Sequence, residues 1–245
     1  MEAIISAGEG IANVSDVGAT LTKWSLEGED IIYPFRYIGE KQRGGIPICC
    51  PFFGSSPEGF EDISQHGWFR NLETTWNHET QAKVASHKSY KGEYKSFPWW
   101  LVANIAHEVT SHRNEDILDT RLKLYRVSSE GEMPINIAFH PYFKSDGKRD
   151  VFINGEKHVV DVSTKAKCVK INSNDEIIID TGKFRIKMIL SGYDYDTCLY
   201  LWGDAEEYFC VEPVLTSPSC FNTKDGVWLD QKQSIEVSMK LSILF

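Results

Sequence analysis

No stretch of this chain carries a sustained helical period, no apolar run reaches the roughly 18–20 residues of a membrane span, and no two cysteines have C-x-x-C spacing. The first absence argues against a helical bundle or an alternating α/β fold. The second leaves no candidate membrane helix, and the third removes the paired ligands of a structural zinc site. The N-terminus, Met1-Glu2-Ala3-Ile4-Ile5-Ser6, has neither the basic segment nor the long apolar segment of a secretory leader, so the expected location is cytoplasmic. In that reducing setting Cys49, Cys50, Cys168, Cys198, Cys210 and Cys220 read as small buried hydrophobes rather than a disulfide framework or metal ligands. Basic residues are also short: 26 Lys and Arg face 35 Asp and Glu, a formal charge of −9. That balance excludes nucleic acid and anionic membrane as general partners, which need a basic surface. It leaves room for one small anion, held by two or three local cations. Internal repeats, low-complexity tracts and linkers are missing too, so residues 1–245 are expected to form a single domain.

What is present is alternation with a period of two. Ile235, Val237, Met239, Leu241 and Ile243 interleave with Glu236, Ser238, Lys240 and Ser242. Phe184, Ile186, Met188 and Leu190 alternate with Arg185, Lys187 and Ile189, and residues 98–110 put Trp99, Leu101, Ala103, Ile105 and Val109 on one face. Such patterns belong to half-buried antiparallel strands. Further runs near 19–26, 82–88, 120–127, 157–163 and 196–202 are separated by Gly, Asp and Asn clusters. Many short strands joined by polar turns predict an all-β fold, a sandwich or barrel.

One segment departs from this rhythm. Residues 41–71 are dense in Gly, Pro and aromatics, with Gly54-Ser-Ser-Pro-Glu-Gly59 as a loop at the centre. A long loop in a compact domain is functional or disordered, and the flanking Phe52, Phe53, Phe60, Trp68 and Phe69 argue for order. Aromatic rings beside polar groups suit a sugar, whose C–H faces stack while its hydroxyls need hydrogen bonds.

Phe209-Cys-Val-Glu-Pro-Val-Leu215 reads as a buried strand whose only ionisable carboxylate is Glu212, on the face of Cys210 and Val214. A buried Glu must find hydrogen bonds, raise its pKa or serve a ligand. Of seven histidines, His78, His87, His107, His112 and His158 lie in polar or alternating contexts and read as surface or hydrogen-bonded groups. His66 stands at the exit of the long loop, and His140 ends a strand just before Pro141. Two such histidines and one buried carboxylate are the parts of a general acid–base site.

These segments together resemble the aldose 1-epimerases, or mutarotases, in the branch that includes the hexose-6-phosphate mutarotases. The motifs, in order, are Arg43-Gly-Gly-Ile-Pro with Pro51-Phe-Phe-Gly54, Gln65-His-Gly-Trp-Phe-Arg-Asn71, Phe139-His-Pro-Tyr-Phe143, Leu201-Trp202, Phe209-Cys-Val-Glu-Pro213, Thr216-Ser-Pro and Asn222-Thr. The resemblance implies a large antiparallel β-sandwich of the galactose mutarotase type, with a sugar cleft on a concave sheet. It implies Glu212 as catalytic base, His140 as catalytic acid and His66 as the histidine on the ring-oxygen side. Arg43 and Arg70 match arginines at the sugar or phosphate end, and Gln65 and Asn71 stand in the same motif as expected sugar contacts. No metal or organic cofactor is implied, and the partner is a small sugar or sugar phosphate. The family's sugar-binding Asp has no clear match; Asp194 and Asp196 are the nearest substitutes, in what reads as a surface turn.

The residue types suit the chemistry. Exchanging anomers requires a proton to leave the C1 hydroxyl while another reaches the ring oxygen, and Glu⁻ with HisH⁺ supplies both. The phosphate question stays open, because Glu61-Asp62 precede the His-Gly pair where some phosphosugar mutarotases carry a lysine. Two other readings share the scaffold. A carbohydrate-binding protein without catalysis would keep the pocket but not need all three groups. A glycoside hydrolase needs a carboxylate pair, of which only one member is evident.

Overall fold

Alternation is realised as two antiparallel sheets packed face to face. The computed structural model describes residues 1–92, 94–113, 115–128, 131–162, 166–217 and 226–245; Pro218, Cys220 and Asn222-Thr223 of the sequence motifs lie outside them. Among the described residues, ten strands form the first sheet. Glu2–Ala7, Gly10–Ser15, Leu21–Leu26 and Glu29–Ile32 follow one another as hairpins, then come Tyr142–Lys144, Tyr208–Val214, Cys198–Trp202 and Lys167–Lys170. Ala138–Phe139 and Ile48–Cys49 complete it beside Val214. Nine strands form the second sheet, in the order Glu156–Val159, Asp150–Ile153, Ile177–Asp180, Arg185–Ser191, Ser234–Leu244, Glu115–Arg126, Trp100–His112, Lys83–Lys91 and Thr75–Glu79. No helix among these residues is long and apolar enough to cross a membrane.

The alternating positions read from sequence are the ones that go inside. Ile235, Val237, Met239, Leu241 and Ile243 are buried, as are Ile186, Met188 and Leu190, and they meet Ile5, Val14, Trp24, Phe209 and Val211 of the other sheet in one continuous core. Leu122 sits between Ile105 and Val237 on neighbouring strands and is fully buried, so truncating it to Ala should cost about 2–5 kcal/mol. His107 occupies an inward position among the apolar residues of its strand. Its Nε2 bonds to the Ala19 carbonyl at 2.8 Å and its Nδ1 to the Thr120 hydroxyl at 3.1 Å, which satisfies both nitrogens in a neutral ring.

Two expectations need correction. Cys49, Cys50, Cys198 and Cys210 are buried, but Cys168 is exposed, because its strand packs only one edge against Cys198–Trp202. The aromatics of the long loop do not line the cavity that a sugar would need, Phe53 excepted. Phe52, Trp68 and Phe69 are buried in the core, with Phe60 packed against it; Trp68 stacks on Tyr90 at 3.9 Å, and Phe52 meets Phe60 edge-on. Burying such rings is worth more than leaving them at a cleft, and that burial is what orders residues 50–68.

Candidate active site

The site is built on the strand Tyr208–Val214, which is buried along its whole length because both of its faces are covered. Phe209 and Val211 point into the core between the sheets. Tyr208, Cys210, Glu212 and Val214 point the other way, where Cys210 packs with Tyr33, Tyr142 and Tyr208, and Val214 with Cys49, Phe53, Ala138 and Cys198. Glu212 lies between these two apolar groups, 2% exposed, at the floor of a cavity of about 740 Å³.

Register then decides its neighbours. Ala138 pairs with Val214 and Tyr142 with Cys210, so position 140, midway between, falls opposite Glu212. On the other edge Tyr200 pairs directly with Glu212. Directly opposed side chains on one face stand about 5 Å apart at Cβ. His140 Nε2 is accordingly 3.4 Å from Glu212 Oε2, with both side chains buried. Pro141 has no N–H and interrupts the strand. The N–H groups on either side of it, His140 and Tyr142, donate to Pro47 and Gly45 at 3.0 Å each. This is why Gly44 and Gly45 matter: both have positive φ (86° and 72°), and a Cβ on them would come within 2.3 Å of the Pro34 carbonyl and 2.5 Å of the Leu21 carbonyl.

His66 arrives from the loop. Its own backbone is left-handed (φ 64°), its N–H donates to the Gly54 carbonyl at 2.8 Å, and the Gly54 N–H donates back to His66 Nδ1 at 3.2 Å. Because Nδ1 accepts, the neutral ring carries its proton on Nε2. The His66 and His140 rings meet edge to face with centroids 5.3 Å apart, and His140 stacks on Tyr142 at 4.7 Å. Gly67, next in the chain, lies so close to the Cys50 carbonyl that a Cβ would sit 2.0 Å from its oxygen.

The cavity is lined by all seven residues singled out from sequence: Arg43, Gln65, His66, Arg70, Asn71, His140 and Glu212. Arg43 is held by Asp204 at 2.7 Å, over the face of Trp202 at 5.2 Å from the ring centroid. Asp204 also accepts a hydrogen bond from the Tyr208 hydroxyl. Among the described residues Arg70 has no acidic partner: one nitrogen donates to the Gln65 carbonyl at 3.2 Å, and its Nε is buried without a hydrogen bond. Asp194 and Asp196 do not line the cavity; Asp196 binds Lys170 at 2.9 Å on the surface. Glu61 and Asp62 face away as well, capping the Gly59 N–H and binding Ser96, so they do not set the charge of the cavity.

Sequence reasoning missed the outer wall. Tyr37, Lys41 and Gln42 come from the hairpin Arg36–Ile38 and Lys41–Arg43, and Tyr200 from the strand beside Glu212. Asp204 was legible as an acid just past Leu201-Trp202, but nothing in the sequence tied it to Arg43, 161 residues away.

Burial governs the protonation of the central groups. Stripped of water, Glu212 is pushed well above the ordinary carboxylate value. Burial likewise drives His140 well below the usual imidazole value, with His66 and Arg70 adding to the effect. His66 is lowered to about 4 by burial, then by Arg70 and Arg43. Burial thus favours the neutral form of each group: the carboxylic acid of Glu212 and the uncharged rings of His140 and His66.

Comparison with known proteins points one way. The aldose 1-epimerase family pattern matches residues 4–206, which takes in His66 and His140 and stops short of Glu212. Similar solved structures include a galactose mutarotase related enzyme from Lactobacillus acidophilus, at TM-score 0.82 and 13% identity over 100% of this chain and 98% of that one. The Slr1438 protein from Synechocystis superposes at TM-score 0.80 with 18% identity over 100% and 96%. A galactose mutarotase-like protein from Lactobacillus casei does so at 0.77 with 15% identity over 99% and 100%. At such identities the likeness is one of fold.

Proposed function

Because the chain belongs to the aldose 1-epimerase family, we propose that it interconverts the α and β anomers of a hexose, free or 6-phosphorylated, by ring opening between Glu212 and His140. The observation that carries this reading is a buried carboxylate and a buried imidazole 3.4 Å apart at the floor of a cavity of sugar size.

The pair's single proton accounts for the cycle. Hydroxyls of an entering sugar donate to the Glu212 carboxylate and favour its charged form, which moves the shared proton to His140. Glu212 then takes the C1 hydroxyl proton as His140 delivers its own to the ring oxygen. The bond between C1 and the ring oxygen breaks and the C1 carbonyl forms. The proton now rests on Glu212, the state that burial favours. Rotation about C1–C2 and the reverse transfers close the ring as the other anomer. The protein returns to its starting state without a net change, so the reaction calls for no redox partner. His66, with its proton on Nε2, donates to a sugar oxygen and keeps the ring seated. Tyr200 and Trp202 offer aromatic faces to its C–H groups.

Arg43, Arg70 and Lys41 line the same cavity and suit a phosphate through charge-assisted bonds, while Asp204 occupies one edge of Arg43. The test is NMR exchange between anomers with Glu212→Gln: exchange should fall to the spontaneous rate while saturable sugar binding persists. A Glu212→Gln protein that still catalyses would falsify the assignment of the base.

A further inference from the structure

Cys210 precedes Glu212 by two residues on the same strand, so both side chains leave the sheet on one face, with His140 across from Glu212. One nitrogen of His140, the Cys210 sulfur and one Glu212 oxygen lie within 4.8 Å of one another, and all three residues are buried. We propose that they form an inhibitory site for a soft divalent cation, zinc or cadmium, at the floor of the sugar cavity.

Three arguments support it. The donor set is nitrogen, sulfur and oxygen, which zinc takes at about 2.0–2.3 Å, putting tetrahedral donors roughly 3.3–3.8 Å apart. The His140–Glu212 separation of 3.4 Å is already in that range, and the widest separation needs to close by only about 1 Å. Next, Glu212 Oε2 is buried without a hydrogen-bond partner among the described residues, so a cation would satisfy a polar atom that the fold leaves unpaired. Last, three protein ligands leave the fourth position open to the cavity that His140 and Glu212 line, where water or a sugar hydroxyl completes the shell.

The same atoms explain why this is an inhibitor site rather than a cofactor site. A resident metal's histidine ties its second ring nitrogen to an acceptor, and among the described residues His140 has no such acceptor at Nδ1. Binding is therefore reversible, and the cation competes with sugar for Glu212 and His140. The inhibition, though not the binding, rests on the mutarotase reading.

The experiment titrates the whole protein with cadmium or zinc chloride in thiol-free buffer, with magnesium chloride as control. Cys168→Ser serves as background, because Cys168 is an exposed thiol. Two signals are followed: the ultraviolet cadmium–thiolate absorption and the NMR rate of anomer exchange. One equivalent of cadmium should give the band and suppress exchange, excess hexose should reverse both, and magnesium should do neither. Cys210→Ala should keep anomer exchange, lose that band and weaken inhibition at least about tenfold; Cys210→Ser is the second variant should Ala disturb the fold. A band and inhibition unchanged in a folded Cys210 variant overturn the proposal. A band that depends on Cys210, in a protein with no anomer exchange, would instead uphold the site and sink the mutarotase reading.

Discussion

His140 Nε2 stands 3.4 Å from Glu212 Oε2, across a strand pair whose register puts the two on one face. Neither residue is close to the other in sequence. Together they make a buried carboxyl–imidazole pair, the arrangement that the proposed ring opening and closing would use.

A shared proton makes the two residues act as a unit. Glu212→Gln is expected to bring anomer exchange down to the spontaneous rate, and His140→Asn to slow it by about 10²–10⁴-fold, the range of a lost general acid or base. The double variant should be little slower than the worse single, since either change already breaks the relay. Additive losses, measured by NMR exchange, would contradict a common proton.

The pH profile follows from burial. Burial pushes His140 well below the ordinary imidazole value of 6.5 and Glu212 well above 4.5, so the neutral acid beside a neutral imidazole is the favoured state of the pair. Catalysis above the spontaneous rate should persist at pH 5.5 and fall only as His66 titrates near 4, losing the lone pair that accepts the Gly54 N–H. An acid limb centred at 6.5 would rule this out.

Stability should also depend on acid, through His66 and His107. Both are lowered to about 4, each chiefly by burial. Between 6.5 and 4 the unfolded chain binds their protons and the native protein does not, so stability rises with pH across that window. Their contribution is complete above 6.5 and is lost as pH falls through 4, on the order of 3 kcal/mol for each. Urea midpoints at pH 7 and 4.5 measure it, and His107→Gln should flatten the slope.

Asp204 is expected to tune the substrate. Burial pushes its carboxyl up, but hydrogen bonds from Arg43 and Tyr208 outweigh that and hold it ionised, so it neutralises Arg43. Asp204→Asn keeps an acceptor for the guanidinium while removing the opposing charge. The ratio of kcat/KM for hexose 6-phosphate to that for free hexose should rise at least about threefold, an effect the size of a partly exposed ion pair. An unchanged ratio would mean that Arg43 does not meet the phosphate.

Much of the fold could be read from the chain. Period-two alternation at 235–243 and 184–190 fixes which side chains enter the core, because a strand can bury only one side of its pleat against its partner sheet. The motif residues are also visible as residues, since Gly44, Gly45 and Gly67 are required where backbone passes too close for a Cβ. The aromatics of the long loop misled for a related reason: composition shows that rings need cover, not whether a core or a ligand provides it. What the sequence alone determined is the alternation of faces and the presence of one carboxylate in an apolar strand. Tertiary structure alone decided that His140, at the break before Pro141, falls opposite Glu212. Register between strands some 70 residues apart depends on packing along both, and no local pattern encodes it.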